Sequence, residues 1–145
     1  MPYSVTLVEG VPSNTRRGIA FLESDSDGDV NGKGVFDGLR KKLKNDVRGR
    51  FDFWLSGGVC DKYFHGWPNG NNRKGCFVFK WKNAGALHRL YGFLFNPRPG
   101  DPRFQVCVLM RHTQKKEITD ASELALVLRL KAKAAVVTAV GQAFE

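Results

Sequence analysis

The chain has 145 residues, near the commonest size of a single domain and long enough to bury a core without staples. Its 23 Lys and Arg outweigh 14 Asp and Glu for a formal net charge of +9, which favours phosphate backbones, anionic membrane surfaces or an acidic partner and says nothing about fold. The three cysteines, Cys60, Cys76 and Cys107, are odd in number and sit mainly in apolar runs, which argues against a disulfide scaffold and for a reducing compartment. No basic segment followed by an apolar one opens the chain, and charges interrupt every apolar run well short of a membrane span. A cytoplasmic protein without a membrane partner is therefore expected.

In chain order, Tyr3 to Glu9 alternates in a β-rich composition and predicts a strand that stops at Gly10 and Pro12. Arg16 to Leu22 is ambiguous between helix and strand. Ser24 to Gly34 is polar, acidic and Gly-rich, and reads as a mobile loop. Asp27, Asp29, Asn31 and Gly32 there match positions 1, 3, 5 and 6 of an EF-hand. Gly38 then stands where the bidentate Glu belongs, and Gly34 where an apolar residue links paired loops, so no metal site is expected. Cys60, His65 and Cys76 likewise lack the paired spacing of zinc ligands.

Val35, Phe36, Leu39, Leu43 and Val47 recur at helical spacing among Arg40, Lys41, Lys42 and Lys44, predicting an amphipathic helix with a basic exposed face. Gly49 is expected to break or bend it before a short apolar helix, Phe51 to Leu55, that ends at Gly57 and Gly58. Cys60 to Lys74 has no period and reads as a loop packed down by Tyr63, Phe64 and Trp67. Three strands follow as an antiparallel meander: Gly75 to Lys82, Leu87 to Phe95 and Arg103 to Arg111. In the first, Phe77, Phe79 and Trp81 share one face and Val78, Lys80 and Lys82 the other, so the aromatics roof the helices while the lysines face outward. Beyond Lys116, Asp120 or Ser122 caps a last helix carrying Leu124, Val127 and Leu128, and a weakly defined tail follows residue 135. The expectation is one α+β domain over residues 1–145. A small antiparallel sheet, mixed at its edge, packs against two N-terminal helices and a C-terminal helix.

The order strand, two helices, meander, helix, together with Phe79-Lys-Trp-Lys82, His88-Arg-Leu-Tyr-Gly92, Arg111-His-Thr-Gln-Lys-Lys116 and Ala121-Ser-Glu-Leu124, resembles the RelE/HigB-like toxins of bacterial type II toxin–antitoxin modules. The resemblance covers about Val35 to Leu128; the acidic loop, the insert before Lys74 and the Asn96–Pro102 loop depart from the pattern. It implies a metal-independent endoribonuclease without a cofactor, acting on RNA, commonly messenger RNA on the ribosome, and silenced by a cognate antitoxin protein. By that pattern Lys80 and Lys82 sit over the scissile phosphate, Arg89 clamps it, and Arg111, Lys115, Lys116 and Tyr91 bind RNA.

Such cleavage needs a base for the 2′-hydroxyl, cations for the charge that builds on phosphorus, and an acid for the leaving 5′-oxygen. Relatives place a Tyr or His near the C-terminus, where this chain has Phe144; His112 is the substitute, ahead of Tyr91 and His88. Plain alternatives stand beside each role. His112 also reads as a solvated strand-end histidine, Lys80 and Lys82 as an ordinary sheet face, Arg89 as an ion-pair partner of Asp37 or Asp46, and Trp81 and Tyr91 as core. A second class of function, a non-catalytic nucleic-acid-binding or protein-interaction module of phage or mobile-element origin, uses the same residues for salt-sensitive binding without cleavage.

Overall fold

Ile19 to Leu22 is apolar at every position because both faces of its strand are covered. In the computed structural model, which describes residues 3–67, 73–115 and 121–145, this stretch belongs to β2 (Arg17–Glu23). Ile19 and Phe21 enter one hydrophobic cluster and Ala20 and Leu22 another on the opposite side of the sheet. A strand buried on both faces shows a continuous apolar run without a period of two. That is why residues 16–22 look ambiguous in sequence.

β2 is flanked by β1 (Ser4–Leu7), antiparallel to it, and by β6 (Gln105–Lys115), parallel to it with Arg17 opposite Gln105 and Phe21 opposite Leu109. From β6 the sheet continues antiparallel through β5 (Ala86–Phe95) and β4 (Cys76–Asn83) to a short edge strand, β3 (Phe64–Gly66). The spatial order is β1-β2-β6-β5-β4-β3. The fold is thus α+β, with a six-stranded mixed sheet and four helices among the described residues. The meander is present, whereas β2 and β3 are strands that sequence patterning does not resolve. β4 and β5 join through Ala84 and Gly85, both at positive φ, the two-residue turn whose twist matches a hairpin.

One face of the sheet is covered by α1 (Gly32–Asp37) and α2 (Lys41–Leu55). Leu43, Val47, Phe51, Trp54 and Leu55 project from α2 onto Phe77, Phe79 and Trp81; Phe51 and Phe79 meet edge to face at 4.8 Å. The aromatic face of β4 therefore roofs the helices as its alternation requires. The helical break falls before Lys41, where Arg40 is extended, and not at Gly49, which lies exposed within one continuous α2.

The opposite face is not open along its length, contrary to the expectation of an outward lysine face. α3 (Ala121–Lys131) and α4 (Ala134–Ala143) return across it, burying Leu124, Val127, Leu130, Val136 and Val140 against Cys76, Val78, Tyr91 and Phe93. The tail beyond residue 135 is accordingly an ordered helix, closed by Phe144 against Phe104. Segment 24–34 is also tied down: the Tyr3 hydroxyl donates to Asp27, Asp29 pairs with Arg111 and Arg129, and residues 32–34 open α1. Asp120, a possible cap, lies outside the described residues. No helix among the described residues is long and apolar enough to cross a membrane.

The β5–β6 ladder shifts register at Tyr91/Gly92, where Tyr91 faces Arg111 and Gly92 faces Leu109, leaving Met110 as the extra residue of a bulge. Gly92 allows this close approach, since a Cβ there would stand 2.3 Å from the Val108 carbonyl oxygen and 2.9 Å from Leu109 Cα. Gly92→Ala should lower unfolding free energy by about 2–3 kcal/mol, because backbone must move. Gly49→Ala, with open space at its Cβ, should raise it by about 0.5–1 kcal/mol. Urea denaturation of both variants measures the pair.

Candidate phosphate-binding face

Where α3 and α4 stop covering the sheet, towards the β4–β5 hairpin, its apolar rows give way to polar ones. Lys80 pairs with Arg89 across β4 and β5, and Arg89 with Thr113 across β5 and β6, so the three side chains share a row on the α3/α4 face. Lys82 stands one row further out, opposite Leu87, and is exposed. Leu87 in turn pairs with Lys115, the last residue of β6. Lys116 lies outside the described residues.

Arg89 is the unusual member. It is only 6% exposed, and its Nε and Nη1 have no hydrogen-bond partner among the described residues. Neither Asp37 nor Asp46 neutralises it; Asp37 pairs with Lys33 at 2.6 Å. Two neighbours on the same face are also unsatisfied, the hydroxyls of Tyr91, fully buried, and of Thr113, 8% exposed. Each buried polar group left unpaired costs roughly 1–3 kcal/mol, and a charged one more. Such a cluster is stabilised by an anion. Lys80 is half-buried, and burial, with Arg89 beside it, pulls its ammonium below the usual lysine range.

Arg111 shares the face but is already neutralised. Its Nε donates to Glu123 of α3 at 3.1 Å, and its Nη1 lies 3.9 Å from Asp29. Tyr91 is fully buried, so no base stacks on its ring in this arrangement.

His112 falls on the other face. Alternation along β6 sets it opposite Leu90, on the α2 side, where its Nε2 lies 2.9 Å from His88 Nδ1. Trp81 stacks on His88 with centroids 5.4 Å apart and planes 7° apart. The Asn31 side chain accepts from the His112 backbone N–H at 2.7 Å and donates to its carbonyl. Burial, with the charges of His88 and Arg111, pushes His112 down to about 4. This pair is built into the packing and separated from Lys80 and Arg89 by the thickness of the sheet.

A histidine that sequence reasoning passes over does share the cationic face. β3 pairs His65 with Val78, one row from Lys80, and Phe64 with Phe79 on the α2 side. His65, Asp61 and Lys80 line a cavity of about 530 Å3 that wraps the sheet edge onto the α2 side, where Trp54, Phe64 and Phe77 complete it; Arg89 does not line it. Burial holds its imidazole below the usual range; Lys80 and Arg89 push it the same way, while the Gly66 carbonyl and Asp61 oppose. In sequence its only signal is a histidine in an aromatic, Gly-rich segment without a period.

The EF-hand-like side chains are otherwise engaged, Asp27 by Tyr3, Asp29 by arginines and Asn31 by His112. Among the described residues no three His, Cys, Asp or Glu side chains gather as a metal site. Cys76 donates to the Leu124 carbonyl, and burial raises its thiol to about 11.

These features define the chain as an α+β protein that carries on one sheet face a nearly buried guanidinium, Arg89, with two nitrogens unpaired among the described residues. No family model, curated protein or solved structure matches it significantly.

The His112 environment sets a pH dependence of stability. Its affinity for a proton falls from the ordinary 6.5 to about 4 on folding. The unfolded chain therefore binds the proton more tightly, and this contribution is whole above 6.5 and lost as pH falls from 6.5 towards 4. His112→Gln should remove on the order of 2 kcal/mol of the loss that the natural chain shows between about pH 7.5 and about pH 4.5. Denaturant titration of both proteins at the two pH values measures the difference.

Proposed function

We propose that this chain binds RNA through the phosphodiester backbone and cleaves it, as an endoribonuclease toxin of the RelE/HigB kind held in check by an antitoxin protein. The observation that carries the reading is Arg89: a nearly buried guanidinium with unpaired N–H groups, beside half-buried Lys80 and two unsatisfied hydroxyls. A planar fork with unpaired donors suits a phosphate, which reaches the buried Nε and Nη1 once the side chains over them move aside. Among the described residues two strands, two helices, a short edge strand, a three-stranded meander and two helices follow one another along the chain; the helices and meander support the same reading, while β2, β3 and α4 depart from its pattern.

In this reading Arg89 clamps the scissile phosphate and offsets charge that grows on its oxygens. The Lys80 amine, its proton affinity lowered, takes the 2′-hydroxyl proton. Exposed Lys82 attracts the flanking backbone. A ribosome-bound messenger is the substrate, and an acidic antitoxin segment closes the recess when the toxin is silent.

One observation favours the binding-only alternative of phage or mobile-element origin: His112, the proton donor expected from sequence, lies on the far face of the sheet. Expression of the chain without an antitoxin separates the two. Arrested growth with fragmented messenger is expected, relieved by Lys80→Ala with Arg89→Ala; healthy growth with intact messenger would leave only binding.

Arg89→Met supplies a test that does not depend on turnover. Replacing an unpaired buried cation by a packed apolar chain should raise unfolding free energy by about 1–3 kcal/mol, while affinity for single-stranded RNA falls about tenfold or more. Thermal melts with and without an RNA oligonucleotide read both effects. A variant less stable than the natural chain, with unchanged RNA affinity, would show that Arg89 is structural.

A further inference from the structure

His65 has no role so far, and its placement points to one. β3 sits at the sheet edge, and its pairing sets His65 beside Val78 and diagonal to Lys80 on the α3/α4 face. Diagonal cross-strand neighbours lie roughly 7–8 Å apart, within reach of long side chains around a bound group. The ring is oriented by two contacts. Its Nδ1 lies 3.1 Å from the Gly66 carbonyl oxygen, which only accepts, so Nδ1 carries a proton and Nε2 is the free position. Trp67 meets it edge to face at 4.8 Å.

β3 is itself fixed next to the cations. The Lys80 N–H donates to the Tyr63 carbonyl at 2.8 Å, and Arg50 of α2 donates to the Lys80 carbonyl while lying 4.2 Å from the Tyr63 ring. His65, Asp61 and Lys80 line one cavity at the sheet edge, next to Arg89 but not lined by it.

Resting on the ribonuclease reading, we propose that His65 is the catalytic proton donor, its Nε2–H directed at the leaving 5′-oxygen of a phosphodiester held by Arg89. The 2′-oxygen loses its proton to the neutral Lys80 amine and bonds to phosphorus. The bond from phosphorus to the 5′-oxygen breaks, and its electron pair takes the proton from His65. A 2′,3′-cyclic phosphate and a 5′-hydroxyl result, and the Lys80 ammonium and neutral His65 exchange protons with water. The groups acting on the imidazole are Lys80 of β4, Arg89 of β5 and Asp61 before β3. In the empty site burial and the two cations hold it neutral; a bound phosphodiester counters both cations and favours the protonated form that donation needs.

The test uses the whole chain and a short RNA whose scissile leaving atom is either oxygen or sulfur, presented free and on ribosomes. A sulfur leaving group departs without a proton, so it bypasses a missing acid and nothing else. For His65→Gln we expect cleavage of the oxygen substrate to fall 10²- to 10⁴-fold, cleavage of the sulfur substrate to stay within about threefold of the natural chain, and RNA affinity to be unchanged. Arg89→Met should lose both substrates. Equal loss of both by His65→Gln, or no loss of either, overturns the role of His65 and leaves the ribonuclease reading standing. Failure of the natural chain to cleave either RNA overturns that reading, and His65 with it.

Discussion

Burial of the central strands on both faces is the constraint on which the remaining structure depends. β2 and β6 lie parallel at the heart of the sheet, and residues such as Ile19, Leu22, Val106, Cys107 and Leu109 leave almost no surface to water on either side. A sheet apolar on two faces needs two covers. α1 and α2 supply one and α3 and α4 the other. Towards the β4–β5 hairpin the apolar contacts of that second cover give way to the row of Lys80, Arg89 and Thr113, the candidate site.

The same geometry sorts the basic residues. Arg111 lies where α3 and segment 24–31 reach it, and is neutralised by Glu123 and Asp29. Arg89, one strand away and one row further out, is reached by neither, and its Nε and Nη1 have no partner among the described residues. The β6 bulge contributes, because the extra residue Met110 lets Arg111 and Thr113 share the face of Val106 and Val108. Without that slip every side chain beyond the bulge would change faces, His112 included. A charge that no carboxylate of the described residues meets, in a protein with net charge +9, is a cost in stability that suits function better than folding.

Much of the architecture was legible along the chain where one face of an element meets water. The alternation Phe77, Phe79, Trp81 against Val78, Lys80, Lys82 placed the aromatics under the helices, and the spacing of Leu43 and Val47 announced the first half of α2. Legibility failed where water contrast is lost or too short. β2 has no period because it is buried twice over, β3 spans three residues, α4 is apolar at most positions, and Gly49 signals a break that an exposed helical position does not require. For the site, Lys80, Lys82 and Arg89 were visible as a pattern of alternate cations. His112 stood in the meander that carries them, and His65 in a segment without a period.

By itself the sequence determined the composition of the site: a surplus of cations, lysines alternating with aromatics on a hairpin, and no spacing fit for a metal. These are local properties, set by charge count and by the two-residue period of a strand, and they survive whatever the rest of the chain does. Only the tertiary structure decided which cation remains unpaired and which histidine keeps it company. Both depend on long-range pairing, of β2 with β6, of β3 with β4, and of α3 with Arg111, and on one bulge that resets which way β6 faces. Period and propensity carry no record of those partners, since strand pairing is chosen by burial of the whole sheet and not by any segment within it.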